Sequence, residues 1–184
     1  MQLVKIKKIK EAVSLAVLAL KEGKVLILPT DTVYGFVALD KKAVKRIYDI
    51  KKRDNAKPLP FFVSDTKMAQ KYAHINKNEL QFLKQNWPGA ITAVFKAKKG
   101  GTIALRQPDS KLLLAILREV KQPLAQTSAN ISGEPATGKI KQVLETFDSA
   151  GLQPDILFSQ GDLPERRPSK VIDFSKGKRD VLRG

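Results

Sequence analysis

The sequence predicts an α/β fold in which helices flank a twisted, open, mixed β-sheet. Helical and strand patterns alternate along the 184 residues, as expected for helices packed against a sheet. Their order does not follow a strictly repeated βαβ series, which favours a mixed sheet. Since no internal repeat or interdomain linker is visible, residues 1–184 are interpreted as one domain.

The first twenty residues are interpreted as part of an amphipathic helix. Apolar residues recur at helical spacing, at Val13, Ala16, Val17 and Leu20. Gly23 can end this helix. The segment also starts basic and turns apolar, as a signal peptide does, but Glu11 interrupts the apolar run. No apolar run reaches the ~18 residues that span a bilayer, and a cytoplasmic protein without a membrane contact is expected.

The remaining elements are predicted from hydrophobic period and turn residues. Asp40 and Asp109 are expected to cap the two most amphipathic helices, which run to about residues 52 and 120. Further helices are predicted over 65–72, 77–85 and 139–147. Strands are predicted over 25–28, 60–64, 91–97, 102–106, 123–126, 155–158, 169–174 and 180–182. Segments 29–35 and 159–169 are predicted to be turn-rich or loop structure.

The composition favours an anionic partner. Lys and Arg number 34 against 18 Asp and Glu, so the net charge is 34 − 18 = +16 and the pI is about 10.0. Nucleic acid, a nucleotide or an acidic membrane surface would match this charge. A general preference for lysine in the composition, without a functional role, explains the scattered lysines equally well. Both interpretations stay open.

The absence of cysteine excludes disulfides, thiolate metal sites and cysteine nucleophiles. With His74 as the only histidine, a cluster of histidine ligands is excluded too, and no protein metal site is predicted. His74 is expected to be a surface or packing residue. Any chemistry is therefore expected to depend on charge and positioning.

Lys51 and Arg53 form the first candidate site. In extended backbone, residues two apart point to the same side, so the two cations could face one anion. Arginine also offers a fork that binds phosphate or carboxylate with two hydrogen bonds. The alternative is that basic residues stabilise the end of the helix through its dipole.

Three other segments offer polar groups for a ligand. Segment 126–137 carries Ser128 and Asn130, and segment 28–35 carries Thr30, Asp31 and Thr32 at the end of a buried strand. Both can equally be ordinary turns. Arg106 ends an apolar strand and can hold a carboxylate, or be a solvated arginine. The sequence has neither G-x-x-x-x-G-K-[ST] nor G-x-G-x-x-G, so a nucleotide would be bound by cations, hydroxyls and main-chain N–H groups.

Five sequence blocks occur in an order that resembles one family. They are LPTDTVYG at 28–35, KKR followed by KPL at 51–59, WPGAIT at 87–92, IALRQPD at 103–109, and TSAN with SGEPAT at 127–137. Together they resemble the YrdC family of threonylcarbamoyl-AMP synthases over about residues 10–184. The resemblance implies the YrdC-like fold, a twisted open sheet with a large basic concave surface.

The resemblance also implies a reaction and its partners. L-Threonine, bicarbonate and ATP would form threonylcarbamoyl-AMP and pyrophosphate, with Mg²⁺ sharing the charge compensation. The product would pass to a separate tRNA threonylcarbamoyl transferase complex.

The implied site residues follow from the family motifs. Those expected to carry the chemistry, and to hold the ATP phosphates and bicarbonate, are Lys51, Arg53, Ser128 and Asn130. Further ATP contacts are implied at Lys57, Thr102, Ala136 and Arg183. Threonine contacts are implied at Thr32, Arg106, Gln126 and Ser169.

Some positions depart from the family pattern. Asp54 stands where many members have proline, Phe61 and Phe62 lie where many have a threonine-contacting histidine, and Lys170 follows Ser169 where threonine is common. The chain resembles the short form of the family, without an additional C-terminal domain. Segment 159–169 and the tail are hypothesised to help close the site.

Two other functions are considered. An RNA-binding module without catalysis would use the +16 charge, but the aromatic content is only 7% and no basic–aromatic platform is visible. Contact with tRNA or double-stranded RNA can also accompany catalysis. A carbamoyl-adenylate enzyme of the hydrogenase-maturation type would bring zinc-type cysteine motifs, which this sequence lacks.

Overall fold

Ten strands and six helices make up the part of the chain that the computed structural model describes, residues 1–148, 151–166 and 168–183. The helices are α1 (Ile9–Lys21), α2 (Lys41–Lys51), α3 (Thr66–Tyr72), α4 (Lys77–Asn86), α5 (Lys111–Val120) and α6 (Ile140–Asp148). The strands are β1 (Gln2–Lys5), β2 (Leu26–Pro29), β3 (Tyr34–Ala38), β4 (Phe61–Phe62), β5 (Ile91–Lys96), β6 (Thr102–Arg106), β7 (Leu124–Ser128), β8 (Ile156–Ser159), β9 (Lys170–Asp173) and β10 (Asp180–Arg183).

All ten strands belong to one sheet. Their order is β1-β8-β2-β3-β7-β4-β6-β5-β9-β10, so β1 and β10 form the two edges of an open sheet. β1, β8 and β2 are parallel to one another, whereas β2, β3, β7 and β4 pair antiparallel. The β4–β6 and β5–β9 pairs are again parallel, and the β5–β6 and β9–β10 pairs antiparallel. The prediction of a mixed, open α/β sheet is confirmed.

The first half of the sheet is covered by helices on both faces. Along β2, Leu26 and Leu28 pack in a cluster with α1 and α5, while Ile27 packs in another cluster with α2 and α6. Successive strand residues point to opposite faces, so an apolar run without polar alternation is required here. This explains why segment 25–28 is apolar throughout.

The second half of the sheet is covered on one face by α3 and α4. Ala93 and Phe95 of β5 and Leu105 of β6 pack there with Leu83 and Trp87. The alternate residues Thr92, Val94, Ala104 and Arg106 line a cavity on the other face. The fold therefore leaves one face of this half accessible.

The helix ends follow the capping rules, with one correction. Asp40 caps α2 as predicted, its Oδ1 accepting from the N–H of Lys42 at 2.7 Å and of Ala43 at 2.9 Å. The prediction of Asp109 as the cap of α5 is wrong, because Ser110 is the N-cap and its Oγ accepts from Leu113 N. Gly23 follows α1 with a φ of 75°, which confirms it as the residue that ends the helix.

Three strands differ from the predictions. The interpretation of the first residues as helix is wrong for β1, whose structure comes from parallel pairing with β8. Segment 29–35 was expected to be turn, but β3 begins at Tyr34 and is buried along its whole length. β4 comprises Phe61–Phe62 instead of the expected 60–64. These strands are short and are determined by pairing with distant segments, which local period does not reveal.

The loop prediction for 159–169 is confirmed from residue 160, apart from Arg167, which lies outside the described residues. Leu163 in this loop is buried against the core, and its N–H donates to Gly138 O at 2.9 Å. Tyr34 holds the start of the loop, because its hydroxyl donates to Gly161 O at 2.6 Å. Closure of the site by this loop stays a prediction.

Candidate active site

The accessible face of the sheet forms the floor of a cavity of about 580 Å³. Residues of β5, β6, β7 and β9 line it, and in β5 the lining residues Thr92 and Val94 alternate as the strand period requires. Phe61 and Phe62 of β4 also line this cavity. They lie in the region where the family pattern has a histidine. The volume is in the range of small-molecule and cofactor sites.

The charge of the cavity is positive. Among the residues that the structure describes, the arginines Arg53, Arg106 and Arg183 line it, against one carboxylate, Glu134. Hydroxyls of Thr32, Thr102, Ser128 and Ser169 are distributed among the arginines. Arginine forks and hydroxyls suit phosphate and carboxylate groups. The cavity therefore matches an anionic ligand.

Arg106 lies at the end of β6 in a buried ion pair. Its Nη2 donates to Asp31 Oδ2 at 2.7 Å, and both side chains are 3% exposed. Its Nε donates to Gly89 O at 3.0 Å, and the guanidinium lies 5.8 Å from the centre of the Phe62 ring. Burial lowers the pKa of Arg106, while the Asp31 carboxylate opposes that shift. Two of the three guanidinium nitrogens are thus fixed by protein, and the side chain still borders the cavity.

Asp31 itself is not on the cavity floor. Its Oδ1 is buried and has no hydrogen-bond partner in the part of the chain that the structure describes. The sequence offered Asp31 as a ligand contact, but the structure assigns its carboxylate to Arg106 instead. Thr32, the next residue, is 5% exposed and lines the cavity.

Lys51 differs from the arrangement expected of it. It ends α2, and Lys52 then adopts a left-handed conformation with a φ of 51°, so the backbone from 51 to 53 is not extended. Lys51 is buried and does not line the cavity, whereas Arg53 does. The expected extended backbone between the two residues is therefore wrong, because Lys52 makes a left-handed turn, whereas the prediction that both cations face one anion stays a prediction.

The Lys51 ammonium holds the loop that follows β7. Its Nζ donates to Ser128 O at 2.6 Å, Asn130 O at 2.6 Å and Asn130 Oδ1 at 3.0 Å. Burial, and then the charge of Arg53, lower its pKa to about 7. Ser132 N also donates to Lys51 O at 2.9 Å. Lys51 therefore donates hydrogen bonds to this loop and accepts one from it.

Asn130 is the centre of the same network. Its Oδ1 accepts from Lys51 and from Ser128 Oγ, the latter at 2.6 Å. Its Nδ2 donates to Ile131 O at 2.9 Å and Glu134 O at 2.7 Å. The amide is thus fully used within the loop, while Ser128 keeps its oxygen lone pairs for the cavity that it lines.

Arg53 and Lys57 are joined through the main chain. Arg53 Nε donates to Lys57 O at 3.0 Å, and Nη2 donates to Pro58 O at 3.4 Å. Lys57 is exposed and does not line the cavity. The prediction of a nucleotide contact by Lys57 therefore has no support from its position, and its carbonyl orients Arg53 instead.

Ser169 and Arg183 form the wall furthest along the sheet. Ser169 Oγ lies 3.0 Å from Thr92 Oγ1, and Ser169 O accepts from Arg183 Nη2 at 2.7 Å and from Nε at 3.1 Å. Arg183 belongs to the edge strand β10. The structure thus brings residues from both ends of the chain to one cavity.

Three further residues that were predicted to contact a ligand also line the cavity: Thr102, Gln126 and Ala136. The sequence interpretation missed the cavity residues Thr92, Val94, Ala104, Val171 and Glu134. For Thr92 the signal was present, because a buried polar residue in an apolar strand faces something other than core. His74 is exposed, as expected.

The donor set does not form a protein metal site. Within the described ranges no three His, Asp or Glu side chains lie close enough to hold a metal ion. Glu134 is the carboxylate among the cavity residues, and Mg²⁺ is usually held by one or two carboxylates together with substrate phosphates. A magnesium ion here would therefore be carried mainly by a bound nucleotide.

No described helix has both the length and the apolar character needed to cross a membrane.

The fold and cavity define a mixed α/β protein with an arginine-lined cavity on the accessible face of its sheet. A family model for Sua5, YciO and YrdC proteins, described as "Telomere recombination", matches residues 18–184. This chain belongs to the Sua5/YciO/YrdC family, which confirms the resemblance read from its motifs.

Several relatives carry the name threonylcarbamoyl-AMP synthase, among them two that differ in how much of their length this chain covers. The one from Bacillus subtilis (strain 168) is 35% identical over 142 residues, which cover 70% of this chain and 41% of the relative. The one from Vibrio vulnificus (strain YJ016) is 31% identical over 170 residues, which cover 84% of this chain and 89% of the relative. The chain thus spans under half of the first relative and most of the second.

A solved structure of P. abyssi Sua5 complexed with L-threonine has a similar fold. The TM-score is 0.87 at 28% sequence identity, and the match covers 99% of this chain and 56% of that one.

Proposed function

We propose that this protein synthesises L-threonylcarbamoyl-AMP from L-threonine, bicarbonate and ATP, with release of pyrophosphate. One observation carries the proposal: Arg53 and Ser128, from two signature motifs, line the same cavity as Thr32 and Arg106. The names of the two relatives, and the L-threonine in the P. abyssi Sua5 structure, support the same activity.

The chemistry needs positioning and charge compensation. The threonine amine attacks bicarbonate carbon and, with loss of water, becomes a carbamate. A carbamate oxygen then attacks the α-phosphorus of ATP, and the bond to the β-phosphate oxygen breaks to release pyrophosphate. Both reactants at that step are anions, so arginines around them lower the barrier by compensating their charge.

The amino acid is assigned to the end of the cavity near Arg106. The guanidinium would bind the threonine carboxylate, and it is oriented for this by Asp31 and Gly89 O. Thr32, Gln126 and Ser169 line the same cavity and would contact the remaining polar groups. Phe61 and Phe62 would exclude water beside them.

The nucleotide is assigned to the other end. Thr102 and Arg106 lie at opposite ends of the five-residue strand β6, roughly 13 Å apart at the usual rise per residue. Arg53 and Ser128 would bind phosphates, and Thr102 and Ala136 would contact the nucleoside. Arg183, which donates to Ser169 at the amino-acid end, would contact ATP where the two ligands meet. This separation accommodates an amino acid and a nucleotide side by side.

Lys51 and Asn130 are assigned as positioning residues, because their polar groups are used in holding the 128–132 loop. Mg²⁺ would enter with ATP and neutralise phosphate charge when bound. The protein groups beside it would be Glu134 and the Ser128 hydroxyl, both at the cavity.

The product is proposed to reach a tRNA threonylcarbamoyl transferase complex in the cytoplasm. The net charge of +16 supports contact with tRNA or double-stranded RNA as an accompanying property. Such contact should weaken steeply as salt increases, because each Lys or Arg on a phosphate releases counterions.

The activity is tested with purified protein, ATP, Mg²⁺, bicarbonate and L-threonine, following pyrophosphate release and the product by mass spectrometry. Pyrophosphate release that requires both L-threonine and bicarbonate is expected, with L-serine as the control substrate. ATP hydrolysis that is indifferent to L-threonine would contradict the proposal.

A further inference from the structure

Thr30, at the border of the cavity in segment 28–35, has four polar contacts at a single atom. Its Oγ1 accepts from the N–H of Thr32 at 3.0 Å and from that of Val33 at 3.2 Å. The same oxygen lies 2.6 Å from Val33 O and 3.0 Å from Thr32 Oγ1. Thr30 therefore organises the turn that carries Thr32.

The number of protons fixes the direction of these contacts. A threonine hydroxyl has one proton to donate, and a carbonyl oxygen can only accept. The short contact to Val33 O therefore uses the Thr30 proton. As a hydrogen bond, the contact between Thr30 and Thr32 therefore has Thr32 as its donor, and the two lone pairs of Thr30 Oγ1 are then shared among the Thr32 hydroxyl and the two main-chain N–H groups.

This arrangement leaves Thr32 with an acceptor and no donor for a ligand. Thr32 Oγ1 has no other hydrogen-bond partner among the described residues, and Thr32 lines the cavity with 5% exposure. Its free lone pairs are the groups that it can offer there. A ligand group at this position must therefore be a donor.

The Thr30 side chain has little freedom to change this pattern. A Cβ on Gly35 would lie 3.2 Å from Thr30 Cγ2 and 3.2 Å from Thr127 O. Glycine at 35 thus allows the close approach of the Thr30 methyl group, which fixes the side-chain rotamer.

We propose that Thr30 is a positioning residue that makes the Thr32 hydroxyl a hydrogen-bond acceptor for the amino-acid substrate. The donor on the substrate is its ammonium or its side-chain hydroxyl. The identity of the substrate in this inference rests on the proposed function. The assignment of the Thr32 hydroxyl as an acceptor rests on the contacts of Thr30.

A double-mutant cycle tests the inference. Thr30→Val, Thr32→Val and the double variant are compared by KM for L-threonine, KM for ATP, and the Kd of L-threonine from calorimetry. Thr30→Val is expected to raise the KM and Kd for L-threonine about tenfold, as for one lost hydrogen bond. The KM for ATP should change less than about twofold, and Thr30→Ser should restore binding.

In the Thr32→Val background, Thr30→Val should add almost nothing, because it acts through the hydroxyl that is already absent. If Thr30→Val does not fold, Thr30→Ala takes its place in the cycle, since it avoids a methyl group beside Val33 O. Thr146→Val is the matched control: Thr146 Oγ1 donates to Gln142 O on α6, and neither residue lines the cavity.

Full additivity in the cycle, an equal rise in the KM for ATP, or unchanged L-threonine binding in Thr30→Val would overturn the inference. If the wild-type protein binds L-threonine but shows no turnover, the proposed function is wrong. The double-mutant cycle can then still be completed with the Kd values for L-threonine. If L-threonine does not bind at all, both proposals are wrong.

L-2-Aminobutyrate, which lacks the hydroxyl, identifies the donor. Where the hydroxyl donates, the preference for L-threonine over this analogue should disappear in Thr32→Val. Where the ammonium donates, Thr32→Val should weaken both ligands equally, and either result supports an acceptor at Thr32. If Thr32→Val binds both L-threonine and L-2-aminobutyrate as tightly as the wild-type protein does, the inference is wrong.

Discussion

Lys51 donates hydrogen bonds to both oxygens of Asn130, to the main-chain oxygen at 2.6 Å and to Oδ1 at 3.0 Å. With Ser128 O as the third acceptor, every proton of the ammonium is used inside the protein. Lys51 thus supports the 128–132 loop from beneath and has no donor left for a ligand.

Replacing Lys51 with Met should therefore disorder the loop and remove activity. The substitution keeps an apolar stem but leaves buried oxygens without a donor, which costs about 1–3 kcal/mol of stability. We expect a large fall in kcat/KM for ATP and a lower free energy of unfolding in urea. Lys45→Met, on the exposed side of the same helix, is the control. Full activity of Lys51→Met would contradict the supporting role.

The stability should depend on pH through Lys51. Its pKa is lowered from 10.5 to about 7 by burial and by Arg53, so between these pH values the unfolded chain binds more protons at this residue. The contribution is complete above pH 10.5 and is lost as the pH falls through about 7.

Urea unfolding of the wild-type protein and Lys51→Met at several pH values between about 6 and 10 measures this contribution. The wild-type free energy of unfolding should rise with pH relative to the variant, because the other titrating groups cancel in the difference. Parallel curves over the window would show that Lys51 keeps its ordinary pKa in the folded protein.

Arg53 should affect nucleotide binding without affecting folding. It is half-buried at the cavity, and its two acceptors, Lys57 O and Pro58 O, lie in an exposed loop. Arg53→Ala should raise the KM for ATP about 10- to 100-fold, as for a hydrogen bond to a charged group. Arg53→Lys should recover only part of the affinity for ATP, because lysine keeps the positive charge but cannot form the two parallel hydrogen bonds of a guanidinium.

Lys45→Ala removes an exposed cation from α2, the helix that precedes Arg53, at a position that does not line the cavity. It should leave the KM for ATP and the unfolding midpoint unchanged. A KM for L-threonine that rises in Arg53→Ala while that for ATP stays constant would reverse the assignment of the two ends of the cavity.

Local sequence signals predicted the elements whose residues interact with neighbours along the chain. α2 follows Asp40 and has its apolar residues on one face, and β6 occupies residues 102–106 as predicted. β1 could not be predicted in this way, because its register is set by β8, where Gln2 pairs with Ile156. An edge strand with exposed Leu3 has little local signal of its own.

The candidate site shows the same division. Most site residues that the motifs predicted do line the cavity, but the motifs did not show what each side chain does there. Whether Lys51 faces a ligand depends on the left-handed turn at Lys52 and on a loop nearly 80 positions away. Strand alternation could have added Ala104, since it lies two positions from both Thr102 and Arg106, which were predicted.

The buried pair of Asp31 and Arg106, 75 positions apart in the chain, separates folding from binding. Removing one partner of a buried pair leaves an uncompensated charge and costs about 3–5 kcal/mol. Asp31→Ala should therefore lower the free energy of unfolding by that amount and raise the KM for L-threonine, because Arg106 loses its orientation. Replacing both residues, as Asp31→Leu with Arg106→Met, should recover most of the stability.

The double variant should nevertheless bind L-threonine no better than Asp31→Ala, since no guanidinium remains for the carboxylate. Urea unfolding and calorimetric titration with L-threonine on the same three proteins measure the two properties independently. Recovery of L-threonine affinity together with stability in the double variant would mean that Arg106 serves the fold alone. The carboxylate would then have to be bound by another of the cavity cations, Arg53 or Arg183.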